Sequence, residues 1–146
     1  MEIYRLLGVV LGLKGIFYIW NKLWRMQGSL NIIDMEKELI SNYCEAAKIQ
    51  MDAIHSGDYK KGNKASDKLK KYNDLMRSDF LKYESIVKEL LNSEEPNAVI
   101  WIAGVALENN FEKDAVIFKL KKMTENEELG ILRLNAKMTL KVHNLW

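Results

Sequence analysis

Apolar residues recur at helical spacing almost without interruption from residue 35 to residue 142, and this pattern constrains the fold more than any other feature. Intervals of three and four residues are typical of one face of an α-helix, and no alternating run with flanking turn residues indicates a strand. Pro96 is the only proline in 146 residues, and eight glycines are few for a loop-rich or all-β chain. The sequence therefore predicts an all-α protein.

Local signals predict where two of these helices begin and end. Asp34 is expected to cap a helix that ends at Ser56, because Gly57 can adopt the left-handed conformation that stops a helix. Asp58 is expected to cap the next helix, which carries six of the eighteen lysines of the chain. The chain is accordingly divided into an N-terminal helix, residues 1–33, and a helical domain, residues 34–146.

The second half of this domain repeats itself. Residues 83–107 match residues 116–140 at an offset of 33, with apolar positions preserved and Glu94-Glu95 falling on Glu127-Glu128. Each copy predicts a short helix, an acidic turn and a second helix, and Pro96 suits the first turn of such a second helix. The expected architecture is a short solenoid of α-hairpin repeats with an extra N-terminal helix.

The residues Leu90-Leu91, Pro96-Asn97-x-Val99 and Ala103-x-x-x-Leu107 resemble the turn and second helix of a HEAT repeat. Their order over about residues 35–142 is similar to a small bacterial family of HEAT-like proteins catalogued as a domain of unknown function. Genes of that family tend to lie among polymorphic-toxin loci. The resemblance thus implies a protein-binding immunity role. HEAT-like units often carry arginine where this chain has Ile100, so the resemblance does not extend to an arginine surface.

The N-terminal segment has a different composition. Between Leu6 and Trp20 the only charged residue is Lys14, and apolar and basic residues fall on opposite faces of a helix. Residues 3–24 are long enough to cross a bilayer but include Arg5 and Lys22. A basic amphipathic helix with tryptophans is typical of the membrane interface. Association with the inner face of the cell membrane, by spanning or by lying flat, is one interpretation of this cytoplasmic-type chain.

Three alternatives to membrane association stay open. The segment could dock on the helical domain as an extra helix, or be a signal sequence, although no small-residue cleavage site follows it. It could also reflect an over-long gene start, because Met35 opens a segment that looks complete by itself.

The sequence contains little that indicates catalysis. Cys44 is the only cysteine, and His55 and His143 are the only histidines, far apart in the chain. Such residues form no metal-ligand motif, and no histidine is placed beside a candidate nucleophile. We expect a non-enzymatic protein without a metal or cofactor.

Charge is distributed in zones along the chain. Residues 58–84 carry eight basic and five acidic groups, residues 85–128 carry five and nine, and residues 129–146 carry three basic groups and no acid. Zones of alternating sign can steer a partner of complementary charge. The net charge of +2 is too small for a general nucleic-acid coat, although a lysine-rich stretch leaves a nucleic-acid-binding module as the runner-up. That stretch comprises Lys60, Lys61, Lys64, Lys68, Lys70 and Lys71.

The repeat offset also predicts a protein-binding surface. If the second helices line the inner face of the repeats, one outward line runs through Ile100, Gly104 and Glu108, and the offset carries it to Arg133, Lys137 and Lys141. An apolar centre ringed by charges is typical of a binding patch. Ile100 could instead pack in the core. The sequence thus predicts a protein binder, and the HEAT-like resemblance implies an immunity protein that sterically blocks a bacterial toxin. A membrane-tethered scaffold is the third alternative.

Overall fold

The computed structural model describes residues 14–146. Over this range the chain forms six α-helices and no strand, which confirms the predicted all-α class. A short 3-10 turn, Glu127–Leu129, joins the last two helices. The helices are α1 (Lys14–Ser56), α2 (Tyr59–Ser78), α3 (Phe80–Leu91), α4 (Pro96–Glu108), α5 (Lys113–Glu125) and α6 (Ile131–Val142).

The first helix is longer than the sequence predicts. Asp34 was expected to begin a helix, but α1 runs through it without a break from Lys14 to Ser56. The prediction was wrong because a residue that can cap a helix can equally lie within one when helical turns continue on its N-terminal side. The chain divides into two compact units, residues 1–38 and residues 39–146.

The first unit is described from Lys14 onward, as the beginning of α1. The large apolar side chains described there, from Ile16 to Met35, are exposed. Residues 3–13 of the predicted membrane segment lie outside the described residues. Across residues 14–146, none of the helices combines the length and the apolar character needed to cross a bilayer.

Two of the predicted helix signals at the start of α2 are confirmed. Gly57 has φ of +76°, so it adopts the left-handed conformation that ends α1. The carboxylate of Asp58 accepts a hydrogen bond from the backbone N–H of Lys61 at 3.1 Å and so caps α2. Gly62 then lets α2 approach α1, because a Cβ there would lie 3.2 Å from the Cβ of Ala53.

The remaining four helices form two consecutive hairpins. Helix α3 packs against α4, and α5 packs against α6. Pro96 occupies the first turn of α4, as predicted, where its missing N–H leaves no helical hydrogen bond unmade. Helix α4 also contacts α2, α5 and α6, so it lies at the centre of the second unit. Whether these hairpins belong to a HEAT-like solenoid remains a prediction.

The core of the second unit lies around α4. Nine of the thirteen residues of this helix are buried, so it is apolar on nearly every side. Large side chains from the neighbouring helices complete the core and are fully buried: Tyr43, Leu69, Met76, Val87, Leu90, Leu120 and Leu140. Only one flank of α4, around Trp101 and Gly104, is left open, and this flank positions the candidate site.

Candidate protein-binding groove

An open groove of about 480 Å³ lies where α4 and α6 run beside each other, with α2 along one side. We call it the central groove. Ile100, Gly104 and Glu108 line it from α4, as the predicted binding surface requires. Ile100 is only 7% exposed, so its side chain belongs mainly to the core and closes the bottom of the groove. The other lining residues are Gln50, Asn73, Arg77, Asn97, Trp101, Asn135, Met138, Thr139, Val142 and His143.

The other three residues of the predicted surface do not line the central groove. Arg133 lines a separate pocket and donates its Nε–H to the carbonyl of Thr124 at 3.1 Å. Lys137 places its Nζ 4.9 Å from the ring centre of Trp146, and Lys141 is exposed. The structure therefore brings together the three α4 residues but places the three α6 residues elsewhere.

A one-residue difference in register explains this separation. The groove is lined by Trp101 and Gly104 on α4, and by Asn135 and Met138 on α6, so the offset between lining residues is 34 rather than 33. A shift of one residue rotates a helical position by about 100°. The offset of 33 consequently predicted residues on the side of α6 that faces away from the central groove. Both offsets align buried residues of α4 with Leu132, Ala136 and Leu140, so apolar spacing along the chain provided no signal that separated the two registers or identified Asn135 and Met138.

Gly104 opens the floor of the central groove. A Cβ built at this position would meet no atom of the chain within 4 Å. Glycine within a helix costs about 0.8–1 kcal/mol relative to alanine, and here no close packing within the chain compensates for that cost. The glycine thus leaves space at the surface that a residue from another molecule can occupy.

A fixed ion pair closes one end of the central groove. Arg77 on α2 donates to both carboxylate oxygens of Glu108, with its Nε at 2.7 Å and its second terminal nitrogen at 3.1 Å. The remaining terminal nitrogen lies 3.2 Å from Asp74. Hydrogen bonding to Glu108 is the main cause that raises the pKa of Arg77. Because both side chains are partly exposed, this two-point contact fixes their relative orientation more than it stabilises the fold.

Side-chain amides hold the wall of the groove in place. Asn73 accepts a hydrogen bond from the hydroxyl of Tyr43 at 2.7 Å and donates to the backbone carbonyl of Trp101 at 3.1 Å. Asn97 donates to the carbonyl of Ala47 at 2.8 Å and to Gln50 at 2.6 Å. The indole of Trp101 also donates to Gln50, at 3.3 Å. These bonds fix the Trp101 ring at the groove edge, a role that the apolar spacing did not reveal.

Burial perturbs one ionisable group of this network. The hydroxyl of Tyr43 is removed from water, and this burial raises its pKa well above the ordinary value of tyrosine. The hydrogen bond to Asn73 opposes the shift but is the smaller effect. Tyr43 therefore acts as a neutral structural donor.

The candidate catalytic residue types are dispersed. Cys44 lies 3.4 Å from the hydroxyl of Ser93, and His143 reaches the central groove while His55 lies at the exposed end of α1. Between residues 14 and 146, no group of three or more histidine, cysteine, aspartate and glutamate side chains is arranged to hold a metal ion.

The lysine-rich stretch lies on α2. At about 100° per residue, Lys60, Lys61, Lys64, Lys68 and Lys71 fall within one arc of roughly 100°, whereas Lys70 falls outside it. We call these five residues the lysine stripe. Three of them line a second groove of about 370 Å³ between α1 and α2, opposite Glu45 and beside Tyr72. In the part of the chain that is described, none of the five has a carboxylate within ion-pair distance.

The fold and the central groove together define an all-α protein with an open, partly apolar surface groove and a fixed polar wall. No protein-family model, no curated protein and no solved structure matches the chain.

Proposed function

We propose that this protein is a non-enzymatic helical binding protein that holds a segment of another protein in its central groove. Gly104 carries the proposal, because it leaves an opening in a helix that is otherwise packed on nearly every side. Exposed Met138 and Val142 and the edge of Trp101 surround this opening, and the Arg77–Glu108 ion pair borders it. Apolar anchors within a polar rim are the usual composition of a protein interface.

The biological role of this binding would be the neutralisation of a bacterial toxin. This part of the proposal depends on the HEAT-like resemblance of residues 35–142 and on the suitability of a rigid helical surface for covering an active site. The acidic turns would suit a basic partner, such as a nuclease. The mechanism is steric: the bound immunity protein covers the substrate site of the toxin and performs no reaction itself.

Site-specific cross-linking tests the groove. A photo-reactive amino acid at Val142, which is 73% exposed at the groove, is expected to capture a protein of the native host. The same group at Leu81, which is 83% exposed and outside the groove, serves as the matched position. Gly104→Leu fills the opening and is expected to abolish capture at Val142. Equal capture at both positions, or capture that survives Gly104→Leu, would contradict groove binding.

A matched glycine separates groove filling from a general effect of leucine. Gly28 also lies within a helix with no atom near its would-be Cβ, but it belongs to the first unit. Gly28→Leu is therefore expected to leave capture unchanged. Once the partner is identified, its production in cells tests the antidote role. Co-production of the wild-type chain or of Gly28→Leu is expected to restore growth, and co-production of Gly104→Leu is not. If the captured partner does not inhibit growth when it is produced alone, the antidote role is contradicted and groove binding is unaffected.

The lysine stripe supports a second candidate, a nucleic-acid-binding module. Five lysines lie along one arc of α2 with no ion-pair partner among residues 14–146, and they could provide phosphate contacts, whereas Tyr72 is the only aromatic ring among the described residues that line the adjoining groove. Binding of this kind weakens steeply with salt. A gel-shift titration at increasing salt, comparing the wild type with Lys61→Gln, Lys64→Gln and Lys68→Gln combined, is the test. Absence of a shift at low salt rules this candidate out.

We further propose that the N-terminal helix attaches the protein to a membrane. The support is the exposure of the large apolar side chains described between Ile16 and Met35, together with the basic residues of the same segment. Cell fractionation of the full-length chain provides the test. Leu23→Asp combined with Leu30→Asp is expected to release the protein from the membrane fraction, and an unchanged distribution would contradict attachment.

A further inference from the structure

The beginning of α1 carries a continuous apolar face that the described chain leaves exposed. Its residues follow one another at alternating intervals of three and four, and each is between 46% and 57% exposed. Because these intervals match the helical repeat, the side chains form one line along the helix. We call this line the N-terminal apolar face: Ile16, Ile19, Leu23, Met26, Leu30 and Ile33.

One flank of this face is polar and positively charged. Lys22 and Arg25 are the only charged residues between residues 16 and 33. At about 100° per residue, Lys22, Ser29 and Arg25 lie roughly 70°, 90° and 130° from the centre of the face, all in the same direction around the helix. The first acidic residue after this segment is Asp34. An apolar face flanked by cations without acids is complementary to a surface that combines hydrocarbon with negative charge.

Spanning the bilayer does not suit this segment. Eighteen residues at about 1.5 Å each reach roughly 27 Å, and Arg25 would then lie near the bilayer centre, where a charge is most costly. With the helix parallel to the surface, Lys22 and Arg25 instead reach the headgroups while the N-terminal apolar face enters the acyl region. Trp20, which is roughly 90° from the centre of that face, then lies at the depth that tryptophan prefers.

A second copy of the chain is a less suitable occupant. The intervals of three and four also match the seam of a coiled coil. The positions that flank the seam hold few charges, whereas coiled-coil helices usually select their partners through such charges.

We propose that residues 16–33 lie flat in the interface of an anionic phospholipid bilayer, with the N-terminal apolar face in the acyl region and Lys22 and Arg25 at the phosphates. This inference rests on the proposed membrane attachment and adds to it the lipid charge and the orientation of the helix. It does not depend on binding at the central groove.

Vesicle flotation of the full-length protein tests the lipid charge. Vesicles of phosphatidylcholine with added phosphatidylglycerol are expected to bind more tightly than vesicles of phosphatidylcholine alone. Lys22→Gln with Arg25→Gln is expected to lower the affinity for the anionic vesicles about 25-fold, from about fivefold for each basic side chain near the surface. The control, Lys48→Gln with Lys113→Gln, removes the same charge from exposed positions of the second unit and is expected to change the affinity little.

Quenching by lipids brominated at known depths tests the orientation. Trp24 and Trp146 are similarly exposed in the chain, at 62% and 57%. Trp20 lies in the same segment, so Trp20→Phe combined with Trp24→Phe is expected to lose most of the quenching by bromines near the headgroups, and Trp146→Phe is expected to retain it. Quenching of Trp20 and Trp24 mainly by bromines at the bilayer centre would overturn the flat orientation.

The remaining outcomes separate this inference from the attachment on which it rests. Equal binding to neutral and anionic vesicles would overturn the lipid charge and leave attachment standing. A protein that binds neither kind of vesicle and sediments as a dimer would overturn both the lipid charge and the membrane attachment. If Leu23→Asp with Leu30→Asp converts that dimer to a monomer, a second copy of the chain covers the N-terminal apolar face. Cross-linking from Val142 reports on the central groove independently of either result.

Discussion

Asn73 and Asn97 are buried polar side chains in the second unit, and each forms two side-chain hydrogen bonds. Asn73 joins Tyr43 on α1 to the backbone of Trp101 on α4, so a single amide connects three helices. A buried amide that lost a partner would retain its desolvation cost without a compensating bond. Such residues therefore specify one packing arrangement more strictly than an apolar contact does.

The first prediction concerns Tyr43→Phe. Removing the hydroxyl leaves the side-chain oxygen of Asn73 without its donor in a buried position, so the free energy of unfolding is expected to fall by about 1–3 kcal/mol. Urea unfolding measures the change. Tyr59→Phe at an exposed position is the control and is expected to have no effect. Equal stabilities of the two variants would show that the buried hydrogen bond contributes nothing.

The second prediction concerns alkaline pH. Burial raises the pKa of Tyr43 in the folded state, whereas an unfolded tyrosine titrates near pH 10. Below about pH 10 both states keep the proton; above it the unfolded state loses its proton first, so the wild type loses stability as pH rises. Tyr43→Phe lacks this contribution. The stability difference between the two proteins should therefore narrow between about pH 9 and pH 11, and parallel pH profiles would contradict the assignment.

The third prediction concerns the floor of the central groove. Gly104→Ala adds a methyl group where no atom lies within 4 Å and removes the conformational freedom of a helical glycine. The free energy of unfolding is expected to rise by about 0.8–1 kcal/mol. Gly57→Ala is expected to lower it, because φ of +76° strains alanine. Thermal unfolding measures the stability of both variants. A Gly104→Ala variant that is less stable than the wild type would show that the opening is filled in solution.

At the scale of helices, end signals decide where the turns of the second unit lie. Asp58 caps α2 through a side-chain hydrogen bond, whereas Asp79 precedes α3 without forming one. Gly130 precedes α6 with φ of +55° and follows the 3-10 turn, so this connection differs from the turn between α3 and α4. The two hairpins therefore share their apolar spacing but not the geometry of their turns.

The fourth prediction compares these two aspartates. Asp58→Ala removes the acceptor of the Lys61 N–H and is expected to cost about 1 kcal/mol of stability. Asp79→Ala removes a residue of the same type and position relative to its helix but no capping bond, so a smaller loss is expected. Helicity and urea unfolding of both variants provide the measurement. Equal losses would assign the effect to charge at the helix terminus rather than to the hydrogen bond.

At the scale of the whole molecule, the two units differ in how they bury apolar surface. The second unit has a continuous core around α4, whereas the apolar side chains described in the first unit are exposed. A helical segment whose apolar side chains are exposed gains little stability from packing, so its backbone hydrogen bonds and local propensities contribute most of its stability.

The fifth prediction follows from this difference. Without lipid, backbone amides of residues 16–33 are expected to exchange with solvent much faster than those of α4, because local opening exposes little new apolar surface. Hydrogen-exchange mass spectrometry measures both regions in one sample. Adding anionic vesicles should slow exchange in residues 16–33 and leave α4 unchanged. Equal protection of the two regions without lipid would show that another partner already covers the first unit.

Much of the fold follows from local pattern. The all-α class, the end of α1 at Gly57, the cap at Asp58 and the position of Pro96 were each predicted, because they depend on residues close together in the chain. The continuation of α1 through Asp34 was not predicted, since a capping residue acts as a cap only where the preceding turn is absent. Half of the predicted binding surface lines the central groove, and the other half lies elsewhere on α6.

The sequence by itself determined which segments are helical and which of their residues are apolar, because helical periodicity and end signals are local properties. Only the tertiary structure decided which side of α6 faces α4, because one residue of register turns a helix by about 100° and exchanges Met138 for Lys137 at the groove. It also decided that the opening at Gly104 stays unfilled, since that depends on what every surrounding helix brings near this position.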